Sequence, residues 1–365
     1  MTATVRNLNQ SVDGEPLQEV VLDSGEMSIH LLNIGASIWQ LSHRALPGQN
    51  LVLHHQDPAE YAINRPHFGC TVGPVANRIT GARFTLDGED YQLEPNEGAN
   101  QLHGGPTGFG RKTWIVDEVH ADGPQSWVRF RLNRPAGEGG YPGDLQITAT
   151  YELVGERLRF SWSAVSDAPT PVSLTNHTYW NLNGVAGAQP VDAHWIRVSG
   201  DRRVEVDDQL LPTGQLRPVA ATPYHLTEFE MVSTVLDRLP DRRIDDCYVG
   251  GQGVGVNQSG RGLGTGCADA GLIQAAIVGT QSGIRLDVDT SLPGLQVYSG
   301  HMLEGSTASG GFGPYAGLCL ETQHLPDAVN QPDFPSSLVR PGEMVEHWTT
   351  YEFSANPPTE GAPVR

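Results

Sequence analysis

No apolar run in this 365-residue chain approaches the ~20 residues that a membrane-spanning helix requires. Its polar start, MTATVRNLNQSVDGE, carries neither the basic region nor the apolar stretch of a signal peptide. The expected location is the cytoplasm. Cysteine is sparse as well: Cys70, Cys247, Cys267 and Cys319 stand far apart, without the close CxxC pairing of a structural zinc site or a redox dithiol. Structural disulfides are not expected, and Cys319, inside the apolar run Gly317 to Leu320, reads as an inert core residue. Positive charge is the third scarcity. Lys and Arg number 23 against 42 Asp and Glu, and the net charge of -19 repels both a nucleic-acid backbone and an anionic membrane surface. The partner that remains is a small, neutral molecule.

Helical periodicity is also rare. Its best stretch is Thr227 to Leu239, where Thr227 and Glu230 have capping-box spacing ahead of Phe229, Val232, Leu236 and Leu239. Without alternating strand and helix units, a parallel doubly wound sheet is disfavoured. What the chain has in quantity is turn formers, 43 glycines and 26 prolines, with period-two alternation between them. Leu145, Ile147, Ala149, Tyr151 and Leu153 alternate with polar residues. After Val154-Gly155-Glu156 the pattern resumes at Leu158, Phe160, Trp162 and Ala164, which predicts a hairpin. A second hairpin is predicted at Phe84 to Leu86 and Tyr91 to Leu93 about an Asp87-Gly88 turn, and Val128, Phe130 and Leu132 mark a further strand. The fold class is all-β: a large antiparallel sandwich or barrel with few short helices. No linker or repeat divides it, so a single domain over residues 1–365 is expected. The glycine-rich stretch 250–270 reads as a surface loop, since it matches neither phosphate-binding fingerprint.

Four clusters hold polar residues in apolar or turn-rich surroundings. Asn77-Arg78 lies between Ala76 and Ile79, where the arginine is either paired with a local carboxylate or reserved for a ligand. His103 precedes Gly104-Gly105, which free the backbone so that its ring can enter a cleft. Asn176-His177-Thr178-Tyr179-Trp180-Asn181 sets a histidine among amides and aromatic rings, the groups that receive a sugar's hydroxyls and its C–H face. Glu321 ends the apolar run Leu318 to Leu320, and a carboxylate there needs either an ion-pair partner or a role in proton transfer. Together they suggest general acid–base chemistry on a hydroxylated substrate. A metal site built from His103, His177 and Glu321 competes with that reading, although none of the short histidine spacings of familiar metalloenzyme motifs occurs.

In this order the clusters resemble the aldose 1-epimerase family. The resemblance rests on GPVANRI (73–79), GARFTLDGEDYQLEPNEGANQLHGG (81–105), GFGRKTW (108–114), GYPGDL (140–145), NHTYWNL (176–182), LPTGQLRPV (211–219) and LCLETQHLPDAVNQPDFPS (318–336). It implies a β-sandwich with an open cleft and an isomerase that interconverts the α and β anomers of free aldoses such as galactose or glucose, with no cofactor and no metal. On matching positions, Glu321 resembles the general base and His177 the general acid, with His103 beside it. Arg78, Asn77, Asp245 and Asn176 resemble substrate-binding residues. The chain departs from the family at Asp245-Asp246, where the usual pair is Asp-His, and at Pro74, where Arg is common.

Mutarotation requires the anomeric hydroxyl to lose a proton while the ring oxygen gains one. A Glu321 carboxylate and a His177 imidazolium, each supporting the other's charge, are the expected pair. A carbohydrate-binding module without turnover and a hexose 6-phosphate mutarotase are the alternatives. A monomer or homodimer is expected.

Overall fold

The computed structural model describes residues 1–187, 190–250 and 273–355. The first predicted hairpin is Leu145–Val154 against Arg157–Ser166, in unbroken register from Leu145 opposite Ser166 to Val154 opposite Arg157. Its alternating large side chains are buried on one face, from Leu145 to Leu153 and from Leu158 to Ala164. The second is Arg83–Leu86 with Glu89–Gln92. There Asp87 and Gly88 both take positive φ, 52° and 87°, as a two-residue hairpin turn demands. The Phe84 and Tyr91 rings stack across the pair at 5.2 Å.

The first hairpin belongs to a nine-stranded antiparallel sheet. Its order is Ile115–Asp122, Gln125–Arg134, Leu145–Val154, Arg157–Ser166, Met344–Ala355, Ile284–Thr290, Ile273–Gly279, His194–Val198 and Glu230–Met231. A six-stranded antiparallel sheet faces it, in the order Tyr179–Trp180, Leu318–Gln323, Gly294–Tyr298, Asp245–Val249, Arg202–Val206 and Pro212–Pro218. Leu286, Val288, Tyr351 and Phe353 of the larger sheet share one buried core with Leu295, Val297, Leu318 and Leu320 of the smaller. Burial of each such side chain contributes about 1.5–3 kcal/mol. The N-terminal four-stranded sheet, from Thr2–Val12 to Ser37–His43, adds Val20, Leu22, Ile29, Leu31, Ile38 and Leu41 to that core. Of the sandwich and the barrel that the alternation allowed, the antiparallel sandwich implied by the family resemblance is thus the observed architecture.

The predicted helix is shorter than its periodicity suggests. It spans Val232–Arg238, burying Val232, Val235 and Leu236. Glu230 and Met231 instead pair with Ile196 and Trp195 at the edge of the large sheet. The capping box does not form, because Thr227 bonds His225 at 2.6 Å and Glu230 pairs with Arg238. Sheet pairing has taken the residues that would have begun the helix. Cys70, Cys247 and Cys319 are buried free thiols. Cys267 and all of the 250–270 stretch after Gly250 lie outside the described residues. Among the described residues, no helix is long and apolar enough to cross a membrane.

Candidate active site

Strand alternation aims the central residues. Along Leu318–Gln323, Leu318 and Leu320 enter the core between the sheets, so Cys319 and Glu321 face the other way. Across the ladder Glu321 lies opposite Gln296, and Asp245 lies opposite Tyr298. Both pairs line a cavity of about 280 Å³ together with Asn77, Arg78, Glu97, His67, His103, His177 and Tyr179. Alternation also separates the two adjacent acids. Asp245 faces the cavity and accepts a hydrogen bond from Gln296 Nε2 at 2.7 Å, whereas Asp246 pairs with Arg203 at 2.9 Å. The family's usual histidine position therefore holds, in this chain, an acid engaged with an arginine outside the cavity lining.

His177 is suspended between short ladders. Its N–H donates to Cys70 O and its carbonyl accepts from Gly69 N, both at 2.9 Å, while Tyr179–Trp180 pairs with Cys319 and Leu318. His103 follows Gln101–Leu102, which pairs with Arg78–Ile79, and its N–H donates to Asn77 O at 3.0 Å. The freedom expected of the following glycines has a specific cause: at Gly104, φ is +81° and a Cβ would stand 2.0 Å from Gly73 O. His103 itself takes φ 55°, and Asn77 takes φ 63°. Such left-handed turns at non-glycine residues cost about 1–2 kcal/mol and persist where surrounding contacts enforce them.

Arg78 has the local carboxylate partner of its first reading and a place in the cavity wall. Its guanidinium grips Glu97 in two bonds, at 2.7 and 2.8 Å, and it still lines the cavity. Asn77 Nδ2 donates to Gln296 Oε1 at 3.3 Å, and Gln296 passes the chain of bonds to Asp245. Asn176 stands apart from these. It does not line the cavity; its amide donates to Gly69 O and Tyr151 OH at 2.8 and 3.0 Å, and its oxygen accepts from Thr178 at 2.5 Å. Every polar atom of that side chain is committed to holding the loop beside His177. Gln296, Glu97 and His67 were not singled out in the sequence: Gln296 stands alone on an apolar strand, Glu97 is one of several polar residues in the 81–105 motif, and His67 lies in a short turn of ordinary composition.

His177 Nε2 and Glu321 Oε1 are 3.6 Å apart, with the two side chains only 6% and 3% exposed. Glu321 Oε2 is buried without a hydrogen-bond partner among the described residues. The electrostatics work against the mutual charging expected of this pair. Burial, reinforced by the nearby Asp245 and opposed by Arg78, holds the Glu321 carboxyl well above its usual range. Burial brings His177 down to about 4, and burial together with His67 and His177 puts His103 well below its ordinary value. At 3.6 Å from each other and almost fully buried, the two groups are each pushed by loss of hydration towards the neutral form. Cys319 is buried as expected, yet its sulfur touches the chemistry, 3.7 Å from His177 Nδ1.

One donor atom each from His103, His177 and Glu321 lie within 4.8 Å of one another, a ligand set that suits zinc. The outer contacts do not fit. A metal-binding histidine donates its second N–H to an acceptor, but His103 Nδ1 faces the Asn77 N–H donor at 3.2 Å. That bond leaves the proton of the neutral ring on Nε2, where a metal would need a lone pair. The arrangement suits donation to a substrate oxygen.

The family model for aldose 1-epimerase matches residues 18–352. A galactose mutarotase of Mus musculus is 36% identical over 346 residues, covering 93% of this chain and 95% of that protein. An aldose 1-epimerase of Escherichia coli K12 is 32% identical over 352 residues, covering 94% and 97% respectively. Among solved structures, a galactose 1-epimerase from Lactobacillus acidophilus superimposes with a TM-score of 0.81 at 24% identity, over 97% of this chain and 98% of that one. An aldose epimerase homologue from C. elegans reaches 0.78 at 28% identity, over 93% and 99%. With its motifs in family order, the family model matched from residue 18 to residue 352 and the same sandwich beneath them, the chain belongs to the aldose 1-epimerase family.

Proposed function

We propose that Glu321 and His177 interconvert the α and β anomers of a free aldose, with His103 donating from beside them and Arg78, Asn77 and Asp245 holding the sugar hydroxyls. The observation that carries this reading is the facing of Glu321 and His177 across 3.6 Å in a cavity whose lining also includes the amides of Asn77 and Gln296, the rings of Tyr179 and Tyr298, and Arg78. The productive form, a Glu321 carboxylate with a His177 imidazolium, holds the same number of protons as the neutral pair that burial favours. A sugar hydroxyl donating to the carboxylate favours that form. The anomeric O–H proton passes to Glu321 while the C1=O bond forms and the bond from C1 to the ring oxygen breaks. The ring oxygen takes the proton of His177 and becomes the C5 hydroxyl. Rotation about the C1–C2 bond and the reverse transfers close the other anomer. Each positioned group supplies about 10²–10⁴-fold.

Carboxyl groups outnumber arginines in the lining, with Glu97, Asp245, Glu304 and Glu321 set against Arg65 and Arg78. Arg78 is already gripped by Glu97. This supports an unphosphorylated sugar. A cytoplasmic setting agrees with three buried free thiols, and the protein is taken to work as a monomer or homodimer. The test is polarimetry or NMR of freshly dissolved α-D-galactose and α-D-glucose, where a faster approach to anomeric equilibrium is expected. Binding without acceleration would make the protein a carbohydrate-binding module. Acceleration confined to hexose 6-phosphates would move the substrate class.

A further inference from the structure

The reading above gives no task to the third histidine of the cavity. His67 stands in the turn between the short 3-10 helix Pro58–Ala62 and the strand Thr71–Val72. That turn is tightly held. The Asn64 side chain accepts from Phe68 N at 2.9 Å and donates to Phe68 O at 3.2 Å, and Tyr179 OH donates to Pro66 O at 3.0 Å. Phe68 is wholly buried, with its ring edge-on to Tyr179 at 5.2 Å. Between these anchors His67 takes φ 62°, a left-handed conformation that costs a non-glycine residue about 1–2 kcal/mol. Its ring lines the cavity, 4.8 Å from the His103 ring and 5.7 Å from that of His177, centre to centre. No hydrogen bond to either ring nitrogen is present among the described residues, and neither nitrogen is a sealed, unpartnered atom of the core. Burial, His177 and Arg111 bring the group down to about 3, so the neutral ring offers one donor and one acceptor.

The position of the ring narrows its target. Donor atoms of His103, His177 and Glu321 form a group within 4.8 Å, and His67 lies outside it while its ring borders both imidazoles. It therefore belongs to the histidine side of the site, where the ring oxygen of the sugar is protonated. The ring oxygen has two neighbours, C1 and C5. With C1 given over to Glu321, the substituent carried on the histidine side is the hydroxymethyl group of C5.

We propose that His67 is a specificity residue that binds the C6 hydroxyl of a hexose and distinguishes it from sugars lacking that group. This rests on the mutarotase reading of the site. The experiment measures mutarotation of D-galactose and 6-deoxy-D-galactose by wild type and by His67→Phe, which keeps a flat ring without its nitrogens. For wild type, removal of the 6-hydroxyl is expected to lower kcat/KM about tenfold, through KM. His67→Phe should lose about the same factor on galactose and nothing further on the deoxy sugar, with kcat within about twofold. Should circular dichroism show that His67→Phe does not fold, His67→Asn repeats the test, since asparagine tolerates positive φ and is shorter. Equal losses on both sugars, or unchanged discrimination in a folded variant, would overturn the assignment while leaving the mutarotase reading intact. Failure of wild type to accelerate either sugar would remove that reading and this one together.

Discussion

His177 Nε2 stands 3.6 Å from Glu321 Oε1, close enough for a proton to be shared through a substrate yet beyond a direct hydrogen bond. The two side chains are buried so deeply that each is driven towards its neutral form. The pair is costly to charge, and the sugar that enters supplies the hydrogen bonds that make charging possible.

Glu321→Gln keeps the shape of the side chain and removes its basicity. The loss expected in kcat is about 10²–10⁴-fold with sugar binding retained, and His177→Asn should also cut kcat strongly. Replacement of His103 by Asn should act more weakly, since its Nε2–H assists beside them. Near wild-type mutarotation by a folded Glu321→Gln protein would remove the mechanism.

The same glutamine variant should be more stable than wild type in alkali. The folded carboxyl of Glu321 lies well above its unfolded value, so the native state holds a proton that the unfolded chain has released. Wild-type stability therefore declines as pH rises from the unfolded pKa through the raised folded one. Thermal melts between pH 6 and 9 test this: the gap in Tm between variant and wild type should widen with pH, and parallel curves would contradict it.

The pH dependence of kcat/KM should be a bell whose limbs are assigned opposite to a simple carboxylate base and imidazolium acid. Activity requires one proton on the pair. It falls in acid as His177, brought down to about 4, accepts a second proton, and it falls in alkali as Glu321 loses its own. Infrared difference spectra recorded at a pH just above the ordinary carboxylate range should contain a protonated carboxyl band that disappears in Glu321→Gln. A carboxylate band in its place would reject the assignment.

Prolonged chelation should leave activity unchanged, because His103 turns a protonated nitrogen towards the site when Nδ1 accepts from Asn77. Activity lost in a chelator and restored by one divalent metal would place His103, His177 and Glu321 around that ion.

The adjacent acids should separate binding from stability. Asp245→Asn, in the cavity, is expected to raise KM about tenfold with little change in Tm. Replacing Asp246 by Asn releases Arg203, at 2.9 Å, and should lower stability by about 1–3 kcal/mol with KM little altered. The reverse pattern would exchange the two roles.

Much of this protein was legible along the chain. Alternation at 145–153 and 158–164 and the Asp87-Gly88 turn are local properties, since side chains on successive strand residues must point to opposite faces and a two-residue turn requires positive φ. Arg78, His103, His177 and Glu321 were recognisable from their motifs for a similar reason: each sits in a short segment whose composition is unusual by itself. What no local pattern contains is the company these residues keep. Asn77 meets Gln296 across 219 residues, and Cys319 meets His177 across 142. Asn176, beside the acid–base pair in sequence, is drawn into the loop that supports it, while His67 is carried in from a distant turn. The charge states were equally out of reach. Whether a carboxyl and an imidazole support or neutralise each other depends on how deeply the two are buried, and that depth is set by the packing of two sheets and their loops.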